Sequence, residues 1–211
     1  MSRNQLIHEK KSSSSKDISD WILRYKGELD GLVTMVRTKS GEQKSWKPPV
    51  ESYIKINFDG AFDLQQNRPG SGMVARNSLG EILASKSVLH SSHACLQAVL
   101  LGIHLGIESV VIEGDSLIVI KKCKAVLPNK SKIRAIIRDI HQHCGYFQRI
   151  SFQFTPRSAN NPTHSLATES LKKGEEVYLN RGVPDFYTTS RGNEKAMKPG
   201  LMGVHVDFFG W

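Results

Sequence analysis

From Tyr53 to Asp59 the chain alternates. Ile54, Ile56 and Phe58 fall on one face of an extended backbone, and Tyr53, Lys55, Asn57 and Asp59 on the other. That spacing predicts a strand. A second strand is expected near Gly72–Arg76. Asn77-Ser78-Leu79-Gly80 supplies a turn, and a third strand follows from Glu81 to about Leu89, giving an antiparallel meander. The stretch from about His93 to Leu105 is apolar nearly all round, interrupted mainly by Gln97 and His104, and predicts a buried helix. A strand at Ser109–Gly114 comes next, then a helix opening at Asp115-Ser116. Ile133, Ile136, Ile137 and Ile140 share one face of a helix from about Lys130 to Cys144. Ile150–Phe154 reads as a fifth strand, and a last helix is expected from about Asn161 to Lys172. A meander running into β-α-β, with helices for both faces, predicts a three-layer α/β fold on a mixed five-stranded sheet. A right-handed crossover should set the 109–114 strand beside the first.

Both ends differ from this centre. Residues 1–17 are polar and contain Ser12-Ser13-Ser14-Ser15, a disordered pattern. Ile18, Trp21, Ile22, Tyr25 and Leu29 recur at helical spacing with Asp17 as a cap, although Gly27 and Gly31 weaken that helix. Trp46-Lys47-Pro48-Pro49 favours extended backbone and marks a domain edge. Beyond Gly174 the chain is punctuated by Gly, Pro and Asn. The expected organisation is a flexible leader over 1–45, one folded domain over 46–175 and an irregular tail over 176–211.

Charge adds a partner class. The net charge is +9; residues 51–173 hold 15 Lys/Arg against 9 Asp/Glu, a surplus of six. Basicity on the folded part favours a polyanion, and Lys121, Lys122, Lys124, Lys130, Lys132, Arg134 and Arg138 are its densest region. No apolar run reaches the roughly 18–20 residues that span a bilayer, and the N-terminus lacks the apolar stretch of a secretory signal. An intracellular protein, nuclear or cytoplasmic and without a membrane, is expected. Cys95, Cys123 and Cys144 lack CxxC spacing and lie in helix-like segments, which predicts buried free thiols.

The candidate chemistry is a pair of carboxylates. Asp59 and Asp115 each close an apolar strand-like run, and neighbouring strand ends would let them share a divalent metal. Against that, no Asp or Glu occurs from Ile82 to Ile107.

Five motifs in order resemble ribonuclease H, of the plant reverse-transcriptase-associated type. They are Trp46-x-Pro48-Pro49, Lys55-Ile-Asn-Phe-Asp59-Gly60-Ala61, Gly70-x-Gly72-Met-Val-Ala-Arg76-Asn-x-x-Gly80, Glu113-Gly-Asp115-Ser116 and Pro156-Arg157-x-Ala159-Asn160. The resemblance covers about residues 46–175. It implies five strands, three antiparallel and then two parallel. It also implies metal-dependent cleavage of the RNA strand of an RNA–DNA hybrid, with Mg²⁺ or Mn²⁺ held by carboxylates. Of the family's four acidic positions, Asp59 matches the first and Asp115 the third. The second falls near Ser91, where no acid stands; the join into the helix is short, consistent with a small deletion. The fourth falls at His164, and imidazole suits Mn²⁺ better than Mg²⁺. Phe154 stands where relatives often have a histidine that assists product release. By the same resemblance Gly60 and Ala61 admit a sugar, and Lys130, Arg134, Arg138, Arg157 and Asn160 serve nucleic-acid binding, read by duplex shape and 2′-hydroxyls. Three functions follow: a weakened hybrid endoribonuclease, an inactive nucleic-acid-binding module, or a protein-interaction domain. A monomer is expected.

Residues 1–45 carry none of these motifs. A chain that starts at Trp46 should therefore still unfold cooperatively on heating; loss of the cooperative transition in calorimetry would contradict the boundary.

Overall fold

The computed structural model describes residues 45–90, 93–125 and 133–184. The helical pattern at 18–29, Ser91, Lys130, Lys132 and the tail from residue 185 lie outside the described residues. Ten elements follow in order: β1 (Ile54–Asp63), β2 (Arg68–Arg76), β3 (Ile82–Leu89), α1 (Ala94–His104), β4 (Ser109–Gly114), α2 (Leu117–Lys124), α3 (Arg134–Cys144), β5 (Arg149–Phe154), α4 (Arg157–Lys173) and β6 (Tyr178–Asn180). The strands form one sheet in the order β5-β4-β1-β2-β3-β6. β1, β2 and β3 are antiparallel, and β4 and β5 run parallel to β1. This is the expected mixed α/β arrangement, with six strands in place of five.

The sixth strand comes from the segment read as tail. Gly174 ends α4 in the left-handed conformation (φ 71°), where glycine has no Cβ penalty. The chain then turns back, and Tyr178–Asn180 pairs antiparallel to Lys86–Ala84. Three residues with one half-buried leucine leave no periodic signature, so only the backbone pairing reveals the strand. Two further boundaries move. β1 continues four residues past Asp59, which therefore sits inside the strand; what ends there is the pairing to β4, last made by Phe58 and Gly114. Helix α4 opens at Arg157, one turn before the Asn161-Pro162 that resembles a helix start, so Pro162 lies within the helix.

The alternation along β1 sorts the two faces. Ile56 and Phe58 join Met73, Ala75, Val110, Ile112 and Phe152 in the main core, closed by α1, α2 and α3 through Val99, Leu101, Ile120, Ile137 and Ile140. Cys95 and Cys123 are buried there as free thiols with sulfurs 3.8 Å apart, and Cys144 is half-buried. The opposite face carries α4, which packs on β1, β2 and β3. Val74 and Leu166 are fully buried there with Ile82 and Val183 against them, and Ala167 and Leu171 are buried over Gly72 and Gly70. Lys55, Asn57 and Asp59 give the same face a polar part.

Gly72 brings α4 into place. A Cβ there would lie 2.5 Å from the Thr163 carbonyl oxygen and 2.7 Å from the Ala167 nitrogen. Both are backbone atoms, so no rotamer change relieves the clash. Gly72 is also the register partner of Asp59. Gly72→Ala should therefore lift α4 off the sheet and cost about 2–4 kcal/mol, read as a lower midpoint in urea unfolding.

Candidate functional site

A strand covered on both faces must pair any polar side chain it points inward. Lys55, Asn57 and Asp59 all point to the α4 side of the sheet, and all three are buried. Lys55 donates to Glu113 at 3.1 Å and to the Lys47 carbonyl at 2.8 Å. Asn57 donates to the other Glu113 oxygen at 2.7 Å and accepts from the Trp46 indole at 2.8 Å. Asn160, on α4, donates to the Phe58 carbonyl at 2.9 Å and accepts from the Thr163 hydroxyl at 2.7 Å. Trp46 in turn lies under the Arg76 guanidinium, 4.8 Å from its ring centre.

This network aims the site. With Asn160 fixed on β1, the next turn of α4 presents His164 to Asp59, and His164 Nδ1 meets Asp59 Oδ2 at 2.8 Å. The other carboxylate oxygen accepts the Gly60 N–H at 2.8 Å. Asp115 follows the last residue of β4. It lies beside Asp59 closely enough for the two carboxylates to share a hydrogen bond when one is protonated. Arg157 completes the group. Its Nη1 lies 3.7 Å from Asp115 Oδ2, and its Nη2 lies 2.9 and 3.1 Å from the two ring nitrogens of His164.

Two carboxylates at the mouth of a low-dielectric core disfavour double ionisation. Burial, and then the neighbouring charge of Asp59, push Asp115 up to about 7; the Arg157 guanidinium opposes them. The pair is short of positive charge. Beside it the Ser116 hydroxyl is buried and has no hydrogen-bond partner among the described residues. Two adjoining carboxylates are the oxygen donors that a hard divalent ion prefers. They stand as a pair: among the described residues no three His, Cys, Asp or Glu side chains converge as a metal-holding group, and α1 has no carboxylate.

The structure brings Asp59, Asp115, His164 and Arg157 together. Asn160 is a correction. It is 1% exposed and its amide is consumed inside the fold, so it locks α4 to β1 and cannot touch a nucleic acid. Gly60 is exposed on β1 beside Ala61, and a Cβ at Gly60 would meet nothing nearer than 3.9 Å. Arg134 and Arg138 are exposed on α3, where Arg138 lies 3.8 Å from Asp139. Phe154 ends β5 opposite Gly114, with 37% of its surface open. Asp115 does not cap α2, whose capping position is Ser116. Sequence reasoning missed Lys55, Asn57, Glu113, Thr163 and the bond from Trp46. The signal was present, because a polar alternation on a strand expected to be covered on both sides requires partners.

The chain matches the model of a family described as reverse transcriptase-like over residues 57–170, more than half its length. Its fold is similar to solved structures of RNase H1 from Halobacterium salinarum (21% identity, TM-score 0.53, covering 57% of this chain and 98% of that one). The N-terminal RNase H domain of a Mycobacterium tuberculosis protein is similar as well (17%, 0.52, 57% and 94%). So is LC11-RNase H1 in complex with an RNA/DNA hybrid (18%, 0.51, 57% and 98%). No curated protein matches the sequence.

A carboxyl held near 7 when folded and near 3.8 when unfolded has a definite linkage sign. The folded state binds the extra proton, so this contribution is complete below about pH 4 and is lost as pH rises through 7. Asp115→Asn should therefore leave stability at pH 4 almost unchanged in metal-free buffer. At pH 8 it should raise stability by on the order of 2 kcal/mol, below the full linkage value because the site borders water. Urea unfolding at the two pH values measures the difference.

Proposed function

We propose that this chain, which belongs to the reverse transcriptase-like family and has an RNase H-like domain, binds RNA–DNA hybrid and cleaves its RNA strand weakly. The observation that carries the reading is the adjoining pair of Asp59 and Asp115 at the neighbouring ends of the β1–β4 pairing. Asp59 and Asp115 would hold one divalent ion, Mg²⁺ or Mn²⁺, which supplies charge stabilisation at the scissile phosphate and a more acidic bound water. The protein's own contributions are positional. His164 is held against Asp59 on the helix that Asn160 anchors. Gly60, which internal packing does not require to be glycine, leaves the backbone open to a sugar edge. The exposed Lys121, Lys124, Arg134 and Arg138 on α2 and α3 supply phosphate contacts, as do Lys130 and Arg157 in the same scheme. The LC11 enzyme seen with a hybrid has the same fold and supports this choice of ligand.

The weakness follows from the donor set. A helix α1 without a carboxylate leaves a two-ion centre without one of its usual groups. Loss of one well-placed electrostatic group in such a site costs on the order of 10²–10³ in rate. A second reading, binding without cleavage, is favoured by one observation, the Arg157 guanidinium lying against Asp115.

Hybrid binding should weaken linearly with the logarithm of salt concentration. Replacing Lys130, Arg134 and Arg138 together should lower affinity and flatten that slope; an unchanged slope removes these residues from the interface. On labelled hybrid, cleavage should be barely detectable with Mg²⁺ and faster with Mn²⁺, and Asp59→Asn should abolish both. Efficient Mg²⁺-dependent cleavage lost in Asp59→Asn would overturn the weakened-site reading. Binding with no cleavage under either metal would select the second one.

A further inference from the structure

We infer that Arg157 is a tethered counter-ion that competes with a divalent cation for the Asp59–Asp115 pair. The inference rests on the proposed role of that pair as a metal site. It adds a determinant of metal affinity supplied by the chain itself.

The charges around the pair can be assigned one by one. Glu113, on the same face, is matched by Lys55 at 3.1 Å with both side chains buried, so neither is available to the site. Asp59 faces His164 at 2.8 Å. Asp115 faces Arg157 at 3.7 Å. Arg157 is the permanently charged group at this end of the site, since a guanidinium does not lose its proton in a protein.

Its geometry is that of a movable ion. The Arg157 side chain is 61% exposed, and Asp115 is 15% exposed. A separation of 3.7 Å is longer than a directed N–H···O bond, so the attraction to Asp115 is Coulombic and loosely oriented. Toward His164, Arg157 Nη2 lies 2.9 Å from Nε2, which accepts from it while Nδ1 donates to Asp59, so the tie to the site is one hydrogen bond through a half-exposed imidazole. Arg157 is also the first residue of α4, and its long side chain reaches the site from the turn that Asn160 anchors.

A compact divalent ion between the two carboxylates must therefore displace a positive charge already present, or share the site with it. Either way the guanidinium lowers apparent metal affinity. The effect is moderate because Arg157 is open to solvent, and it shrinks as salt screens an exposed charge.

Titration of metal-free full-length chain with Mn²⁺ alone, following free Mn²⁺ by electron paramagnetic resonance, tests this without any cleavage assay. Arg157→Gln should tighten Mn²⁺ binding by roughly 3- to 10-fold at low salt. Arg157→Lys, which keeps the charge, should stay near the parent value. The gain should fall at high salt. Thermal melting of each variant shows that it is folded. If Arg157→Gln binds Mn²⁺ no more tightly while Asp59→Asn abolishes binding, the metal site stands and the competition is overturned. If neither the parent chain nor Arg157→Gln binds Mn²⁺, the metal reading itself falls, and the inference with it.

Discussion

The bond from Asn160 to the Phe58 carbonyl holds the site together. Helix α4 docks through Leu166 on Val74 and through Ala167 and Leu171 over Gly72 and Gly70. Its position along β1 is fixed further by polar groups that must be satisfied inside. Asn160 ties the helix to β1, Asn57 ties β1 to Glu113 on β4, and Lys55 closes the charge on Glu113. Such a network tolerates no slippage. A one-residue shift of α4 would leave an amide and a carbonyl unpaired in the dry interior, each costing about 1–3 kcal/mol. A larger apolar contact would be more forgiving of register and would place His164 less firmly.

That arrangement separates two neighbouring carboxylates by their company. Glu113 has a lysine and an amide, and its charge is settled inside the fold. Asp115 stands two residues further on. It has another carboxylate beside it and a guanidinium at arm's length, which leaves it high enough to change state near neutral pH. One strand end thus carries an acid neutralised inside the fold and another that changes charge near neutral pH. What distinguishes them is whether the compensating cation is buried with the acid or free in solvent.

Much of this was legible in the sequence, and the limits are physical. The alternation of Ile54, Ile56 and Phe58 against Lys55, Asn57 and Asp59 identified β1 and both its faces, because period-two patterning survives wherever each face has a fixed environment. The approach of Asp115 to Asp59 followed from topology. The role of Asn160 did not. An asparagine between Ala159 and Asn161 reads equally well as a cap, a surface group or a lock, and only the distance to Phe58 decides. Pro162 pulled the expected start of α4 too far along, since proline favours a first helical turn that the chain had already completed. β6 was illegible because three residues joined through their backbones write nothing into side-chain order.

β6 also decides how this sheet meets other molecules. Without it, β3 would be an open edge, a row of amides and carbonyls ready to pair with any extended chain. The return segment closes that row almost completely. Ser87 donates to the Val177 carbonyl, Arg181 donates to Leu83, and the last amide, at Leu89, is taken by the carboxylate of Glu176 at 2.7 Å. A side-chain charge at the end of the edge also repels an approaching strand. A chain cut at residue 175 would keep every catalytic candidate and lose this seam. Its failure would be colloidal, through strand-to-strand association between copies, before any change appeared at Asp59.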